Sequence, residues 1–163
     1  MIKIRKATLK DVPVLVMLLK ELNEEHDKMV AKNPQLKKYI LKKKQNKIVE
    51  VFSKKAFIKT IKSKEGILLL AEDDNKIVGY LEGAVRQPKT CIDKIASMWD
   101  IFVEKDYRGM GISNMLKEET FMIFRKKGAK YIELNLSIIN TRAHSIYKKW
   151  GFSDIDRMMM KKI

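Results

Sequence analysis

The chain has 163 residues, 45% of them apolar and 34% charged, which suits one domain with a buried core and excludes a disordered chain. One cysteine, Cys91, and two histidines, His26 and His144, argue against an internal disulfide and against a zinc centre. The formal net charge of +15 admits either a lysine-rich surface or an anionic partner such as nucleic acid or a polyphosphate ligand.

MIKIRKA at the start alternates apolar and basic residues, as a half-exposed strand would. It runs into charged sequence without the apolar stretch of a signal peptide, and no later run nears the ~20 residues of a membrane span, so the cytoplasm is the expected location. Thr8 and Asp11 form a capping box for a helix through VPVLVMLLKELNEEH, with Pro13 near its start. Asn33-Pro34 breaks the chain. A second, lysine-rich helical region follows from Gln35 to about Lys64, with Leu36, Tyr39, Ile40, Val51, Phe52, Phe57 and Ile61 as its apolar stripe.

ILLLAED and KIVGYLEGAVR flank the turn residues Asp73-Asp74-Asn75 and predict a β-hairpin. IASMWDIFV, 95–103, is the next strand, and a helix follows to about Lys127, ended by Gly128. YIELNLS, 131–137, is a strand. Asn140 opens a short helix closed by Gly151, and FSDIDRMMMKKI is expected to finish as a strand. The order β-α-α-β-β-β-α-β-α-β predicts an α/β (α+β) sandwich around one mixed sheet, with the whole chain, 1–163, as a single domain.

Between the strand 95–103 and its helix lies DYRGMGIS, 106–113, which holds two of the chain's seven glycines. A helix N-terminus presents backbone N–H groups with no intrahelical acceptor, and the helix dipole adds partial positive charge. Glycines there let an anion approach the backbone closely, and Arg108 can add a charge-assisted contact. A P-loop would need a Gly-Lys pair, which the chain lacks, and a dinucleotide fingerprint would need glycine where Asn114 stands. A coenzyme A turn and a purely geometric strand-to-helix turn remain.

Two segments resemble the GNAT superfamily of N-acetyltransferases. Asp100-Ile101-Phe102-Val103 followed by Asp106-Tyr107-Arg108-Gly109-Met110-Gly111 is similar to the family's strand end and its Gln/Arg-x-x-Gly-x-Gly/Ala turn, with an acidic first position here. The run from Asn140 through Ala143 and Tyr147 to Gly151-Phe152 resembles its Asn-x-x-Ala-x-x-x-Tyr-x-x-x-Gly-Phe segment. The resemblance implies the acyl-CoA N-acyltransferase fold, with a mostly antiparallel sheet splayed between the strands 95–103 and 131–137. It implies acetyl-CoA as co-substrate and no metal. The pantetheine arm would lie along the backbone of Ile101, Phe102 and Val103. The pyrophosphate would sit on the N–H groups of Arg108, Gly109, Met110, Gly111, Ile112 and Ser113. Asn140 would contact the cofactor beyond the phosphates, as well as being placed to cap its helix.

Direct transfer of an acetyl group to an amine needs no covalent enzyme intermediate. The amine must lose a proton, and the departing thiolate leaves better when protonated. Tyr147 matches the family tyrosine placed by the sulfur, although Ala143, Ile146, Tyr147 and Trp150 also share a helix face that could simply pack. Asp100 and, on the preceding strand, Glu82 are the candidate bases, with a water relay as the alternative. One subfamily, the ribosomal-protein N-terminal acetyltransferases, carries a glutamate where this chain has Asn135. Two other readings are a lysine-rich nucleic-acid module over residues 37–64, which lacks the arginines that base contacts favour, and a silent CoA-binding interaction protein. The amine acceptor stays open; dimers are frequent in the family, and the Met158-Met159-Met160 strand could either extend a sheet across a homodimer interface or be buried in the monomer.

Overall fold

The computed structural model describes residues 1–37 and 46–159. Those residues fall into two compact units, one drawn from 1–22 and 46–135 and the other from 23–37 and 136–159. Tyr39 and Ile40 of the expected stripe lie outside the described residues, as does Met160.

The first unit is built on a five-stranded sheet whose strands are adjacent in chain order, β1 Lys3–Lys6, β2 Gly66–Asp73, β3 Lys76–Arg86, β4 Lys94–Val103 and β5 Ala129–Leu134. The first four pair antiparallel, and β5 alone joins β4 in parallel. The hairpin between β2 and β3 turns through Asp74 and Asn75, both at positive φ (42° and 69°), the conformation that short polar side chains tolerate best.

Helix α1, Val12–Lys32, outruns its predicted length, and its start is fixed by Asp11, which accepts from the Thr8 N–H at 2.7 Å. Asn33 ends it and caps α2, Pro34–Lys37, by accepting from the Leu36 N–H at 3.1 Å. Helix α3, Asn46–Lys62, completes the helical region. Val12, Leu15 and Leu18 of α1 and Phe57 of α3 close over Leu68, Leu70, Tyr80 and Phe102 of the sheet. The alternate positions turn to the opposite face, which is covered by α4, Ile112–Lys126, through Ile112, Leu116, Thr120 and Phe124. Helices on both faces explain why Ile67 to Ala71 is one continuous buried run. Val51 and Phe52, expected on the buried stripe, are exposed, because only the later turns of α3 meet this core.

In the second unit, α5, Thr141–Lys149, is followed by a tail whose described residues form no strand. The expected final strand is therefore corrected as far as Met159. Phe152 stays on Tyr147, with ring centroids 5.9 Å apart, and Asp154 is drawn to His144 (2.9 Å) and Lys148 (3.4 Å) on α5 itself. The charges of Asp154, Asp156 and Arg157 break any apolar face, and Ile155, Met158 and Met159 are exposed.

Candidate active site

Strand β4 is paired on both sides for only half its length. With β5 the register runs from Lys94↔Ala129 to Met98↔Leu134 and stops. With β3 it continues through Asp100↔Glu82, Ile101↔Leu81, Phe102↔Tyr80 and Val103↔Gly79. Between Met98 and Asp100 the partners step from Gly83 to Glu82, so Trp99 is an extra residue, a β-bulge. The bulge sits where the two strands part. From Trp99 to Val103 the outer edge of β4 meets no strand among the described residues, which is the splay expected between 95–103 and 131–137. The shorter β5, ending at Leu134 rather than at residue 137, widens that opening.

The glycine turn follows directly. A short turn of helix, Lys105–Tyr107, leads to Arg108 in extended conformation, then to Gly109 and Gly111 at φ +86° and +78°, then to α4. Both glycines are required by their left-handed backbone. Neither is required by crowding: a Cβ at either position would meet nothing within 4 Å, so the space in front of the turn is open. The Gly111 carbonyl accepts from the N–H of Asn114 (3.0 Å) and Met115 (3.1 Å), and the groups before them form the positive pole of α4. Ile112, fully buried, anchors the turn, while Met110 is exposed and Ser113 half-buried. Arg108 has a structural task. Its Nε donates to the Val103 carbonyl at 2.8 Å, its guanidinium lies over the Phe102 ring, and its own N–H donates to the Lys105 carbonyl at 3.2 Å. It ties the turn to the end of β4.

Glu82 and Asp100, the two candidate bases, are brought together as cross-strand neighbours. Glu82 is 6% exposed and accepts from the Thr60 hydroxyl at 2.6 Å. Burial pushes its carboxyl up to about 7; the Thr60 hydrogen bond opposes this, and the nearby Asp100 charge adds to it. Asp100, half-buried, is also raised, by burial. Tyr80, two residues before Glu82 on the same face, is fully buried, and its hydroxyl has no hydrogen-bond partner among the described residues. Burial, then the charges of Asp100 and Glu82, hold its phenol well above the usual range. Sequence reading missed Tyr80 and Thr60. The alternation of β3 carried a signal for the tyrosine, and nothing in α3 marked the threonine.

Two predicted residues belong to the second unit. Asn140 caps α5, its side-chain oxygen accepting from the Ala143 N–H at 3.1 Å. Tyr147 packs between Trp150, at 5.5 Å, and Phe152, at 5.9 Å between ring centroids. Among the described residues no cluster of three or more His, Cys, Asp or Glu side chains is gathered as a metal site, and no helix is long and apolar enough to cross a membrane.

Comparison with known proteins identifies the family of the chain. The acetyltransferase (GNAT) family matches residues 30–152. An uncharacterized N-acetyltransferase of Methanocaldococcus jannaschii is 33% identical over 61 residues, 37% of this chain and 27% of that protein. An N-alpha-acetyltransferase of Sulfurisphaera tokodaii is 26% identical over 107 residues, 61% of this chain and 64% of that protein. The chain thus spans about a quarter and somewhat under two thirds of these two relatives. Among solved structures, a predicted acetyltransferase with acetyl-CoA from Clostridium acetobutylicum superposes with a TM-score of 0.77 at 18% identity, over 99% of this chain and 96% of that one.

Proposed function

Because the chain belongs to the acetyltransferase (GNAT) family, we propose that it moves the acetyl group of acetyl-CoA directly to an amine acceptor within a ternary complex. The observation that carries this reading is the bulge at Trp99, which opens the edge of β4 beside the glycine turn. An unpaired strand edge supplies N–H and C=O groups to an extended, amide-bearing ligand, and Ile101, Phe102 and Val103 form that edge. The open space before Gly109 and Gly111 suits a pyrophosphate on the N–H groups from Gly109 through Met110, Gly111 and Ile112 to Ser113. Arg108 supports the turn, its N–H being engaged within it.

Acetyl-CoA, when bound, supplies the activated thioester. The remaining chemistry is proton management. An alkylamine, with a reference pKa of roughly 10.4, must shed a proton before its nitrogen attacks the acetyl carbon. The Glu82–Asp100 pair is suited to receive it, since a base poised near neutrality works best near neutral pH and Glu82 stands at about 7. Asp100, the more exposed of the two, takes the proton from the amine, and Glu82 shares it. As the new C–N bond forms and the C–S bond breaks, Tyr147 donates its phenolic proton to the sulfur. Asn140 adds a cofactor contact beyond the phosphates.

The test is a thermal-shift titration of the whole chain with acetyl-CoA, CoA and NAD, beside a Gly111→Trp variant shown to be folded. A ligand bound only by the native state adds about 2.7 kcal/mol at a hundredfold excess over its dissociation constant. Stabilisation of the parent by the two coenzyme A species but not by NAD, lost in the variant, is the expected result. An absent shift with acetyl-CoA would remove the reading.

A further inference from the structure

The seating of α3 on the sheet is unusually close at one point. A Cβ on Gly66 would fall 2.2 Å from the Thr60 carbonyl oxygen and 3.0 and 3.1 Å from its carbonyl carbon and Cα. Any other residue at 66 would push the last turn of α3 away from β2. Gly66 pairs with Ala84, and Leu68, two residues on, pairs with Glu82. The point of closest approach thus lies beside Glu82, and it sets the height at which Thr60 meets the sheet.

The Thr60 hydroxyl uses that height to reach Oε1 of Glu82 at 2.6 Å, with Thr60 and Glu82 7% and 6% exposed. Around Glu82, β4 contributes Asp100, its own strand contributes Tyr80, and β2 contributes the apolar Leu68. The helix α1 brings Val12, Leu15 and Leu18 to the same face of the sheet. Among the described residues Asp100 and Tyr80 are therefore the titratable neighbours, and neither carries positive charge to balance an ionised Glu82. Thr60 is the neutral donor placed to do so. A threonine suits the task because its branched side chain has few rotamers to lose when held in one.

From this geometry we infer that Thr60 is a positioning residue, seated by Gly66, that holds the Glu82 carboxylate in its ionised, base-competent form beside Asp100. The inference rests on the reading of Glu82 and Asp100 as the base pair of amine acetylation. Its physical content can be read without any reaction.

The experiment is a titration of the glutamate side-chain carboxyl carbons by NMR in the complete, ligand-free chain, with the Glu82 signal assigned through Glu82→Gln. In the parent, Glu82 should titrate near 7. Thr60→Val keeps the shape and removes the donor, so the midpoint should rise by about one pH unit, and Thr60→Ser should bring it back. Gly66→Ala keeps the hydroxyl but lifts the helix, and it should raise the midpoint as Thr60→Val does. It serves as the deciding variant if Thr60→Val does not fold. In acetylation assays the acid limb of kcat/KM should move up with the NMR midpoint in Thr60→Val, with KM for acetyl-CoA unchanged. A Glu82 midpoint that stays put in Thr60→Val, or in Gly66→Ala in its place, overturns the inference. A midpoint that moves in a protein that acetyl-CoA does not stabilise upholds the Thr60–Glu82 coupling and overturns only the acetyl-transfer reading.

Discussion

Glu82 and Asp100 face each other across β3 and β4 at the last step before the register slips, with Trp99 bulged out beside them. The bulge does two things at once. It sets two carboxylates side by side on the face packed by α1 and α3, and it turns β4 away from β5 so that an edge of backbone opens next to them. Two neighbouring carboxyl groups and an open strand edge thereby come from one irregularity in one strand.

The raised carboxyl of Glu82 has a consequence for stability. A carboxyl that titrates near 7 when folded, and near its ordinary 4.5 when unfolded, stays protonated in the native state over that interval. The unfolded chain then holds fewer protons, so its ionisation costs native stability progressively as pH climbs from about 4.5 to 7. Glu82→Gln removes the titration and keeps the shape. Urea unfolding should find the variant and the parent alike at pH 4, and the variant more stable by up to about 3 kcal/mol at pH 8. An equal difference at both pH values would show that Glu82 carries an ordinary carboxyl.

Gly111 tests the turn in two separable ways. Alanine at φ +78° costs about 1–2 kcal/mol, although its Cβ would touch nothing. Asparagine tolerates the left-handed conformation and should recover much of that loss. Both side chains enter the open space before α4, so both should weaken stabilisation by acetyl-CoA. Retained stabilisation in Gly111→Asn would mean that the glycine serves geometry alone.

The legible parts of this site are those with a local cause. DYRGMGIS could be read because a strand end, two glycines and a helix start are contiguous, and the structure gives both glycines positive φ. Asn140 could be read as a cap for the same reason, and it makes the bond. Glu82 and Asp100 could be named singly, but their pairing depends on the register, and nothing in IASMWDIFV announces a bulge at Trp99. Thr60 was hidden because the contact spans α3 and β3 and rests on the missing side chain of Gly66. The stripe on α3 misled at Val51 and Phe52, since periodicity reports a helix face and not how much of that face finds a partner. The final strand is not found as far as Met159; there Asp154 turns back to His144 and Lys148 of α5, a contact that alternation in FSDIDRMMM does not announce.

The Arg5–Asp11 pair makes an opposite prediction about pH. Arg5 Nη1 and Nη2 donate to the two Asp11 oxygens at 2.9 and 2.8 Å, while its Nε donates to Glu72 at 2.6 Å. The hydrogen bonds from Arg5 hold the Asp11 carboxyl down at about 2. A lowered carboxyl contributes stability that is fully present above its unfolded value near 4 and is lost as pH falls through about 2. Asp11→Asn should therefore cost about 2 kcal/mol at pH 7, and the gap to the parent should close toward pH 2. A gap that persists at acid pH would mean that packing rather than charge holds β1 to the start of α1.

Tyr147 separates chemistry from packing most cleanly. Its ring lies 5.5 Å from Trp150 and 5.9 Å from Phe152, contacts that phenylalanine would keep. If the phenol serves as the proton donor to the leaving sulfur, Tyr147→Phe should retain acetyl-CoA binding and unfold within about 1 kcal/mol of the parent, while kcat falls roughly 10²-fold. The loss should be smallest with an acyl thioester whose thiol is more acidic, because such a leaving group needs the proton least. An undiminished kcat in a variant that binds acetyl-CoA normally would return Tyr147 to the packing of α5 and leave the sulfur to be protonated by water.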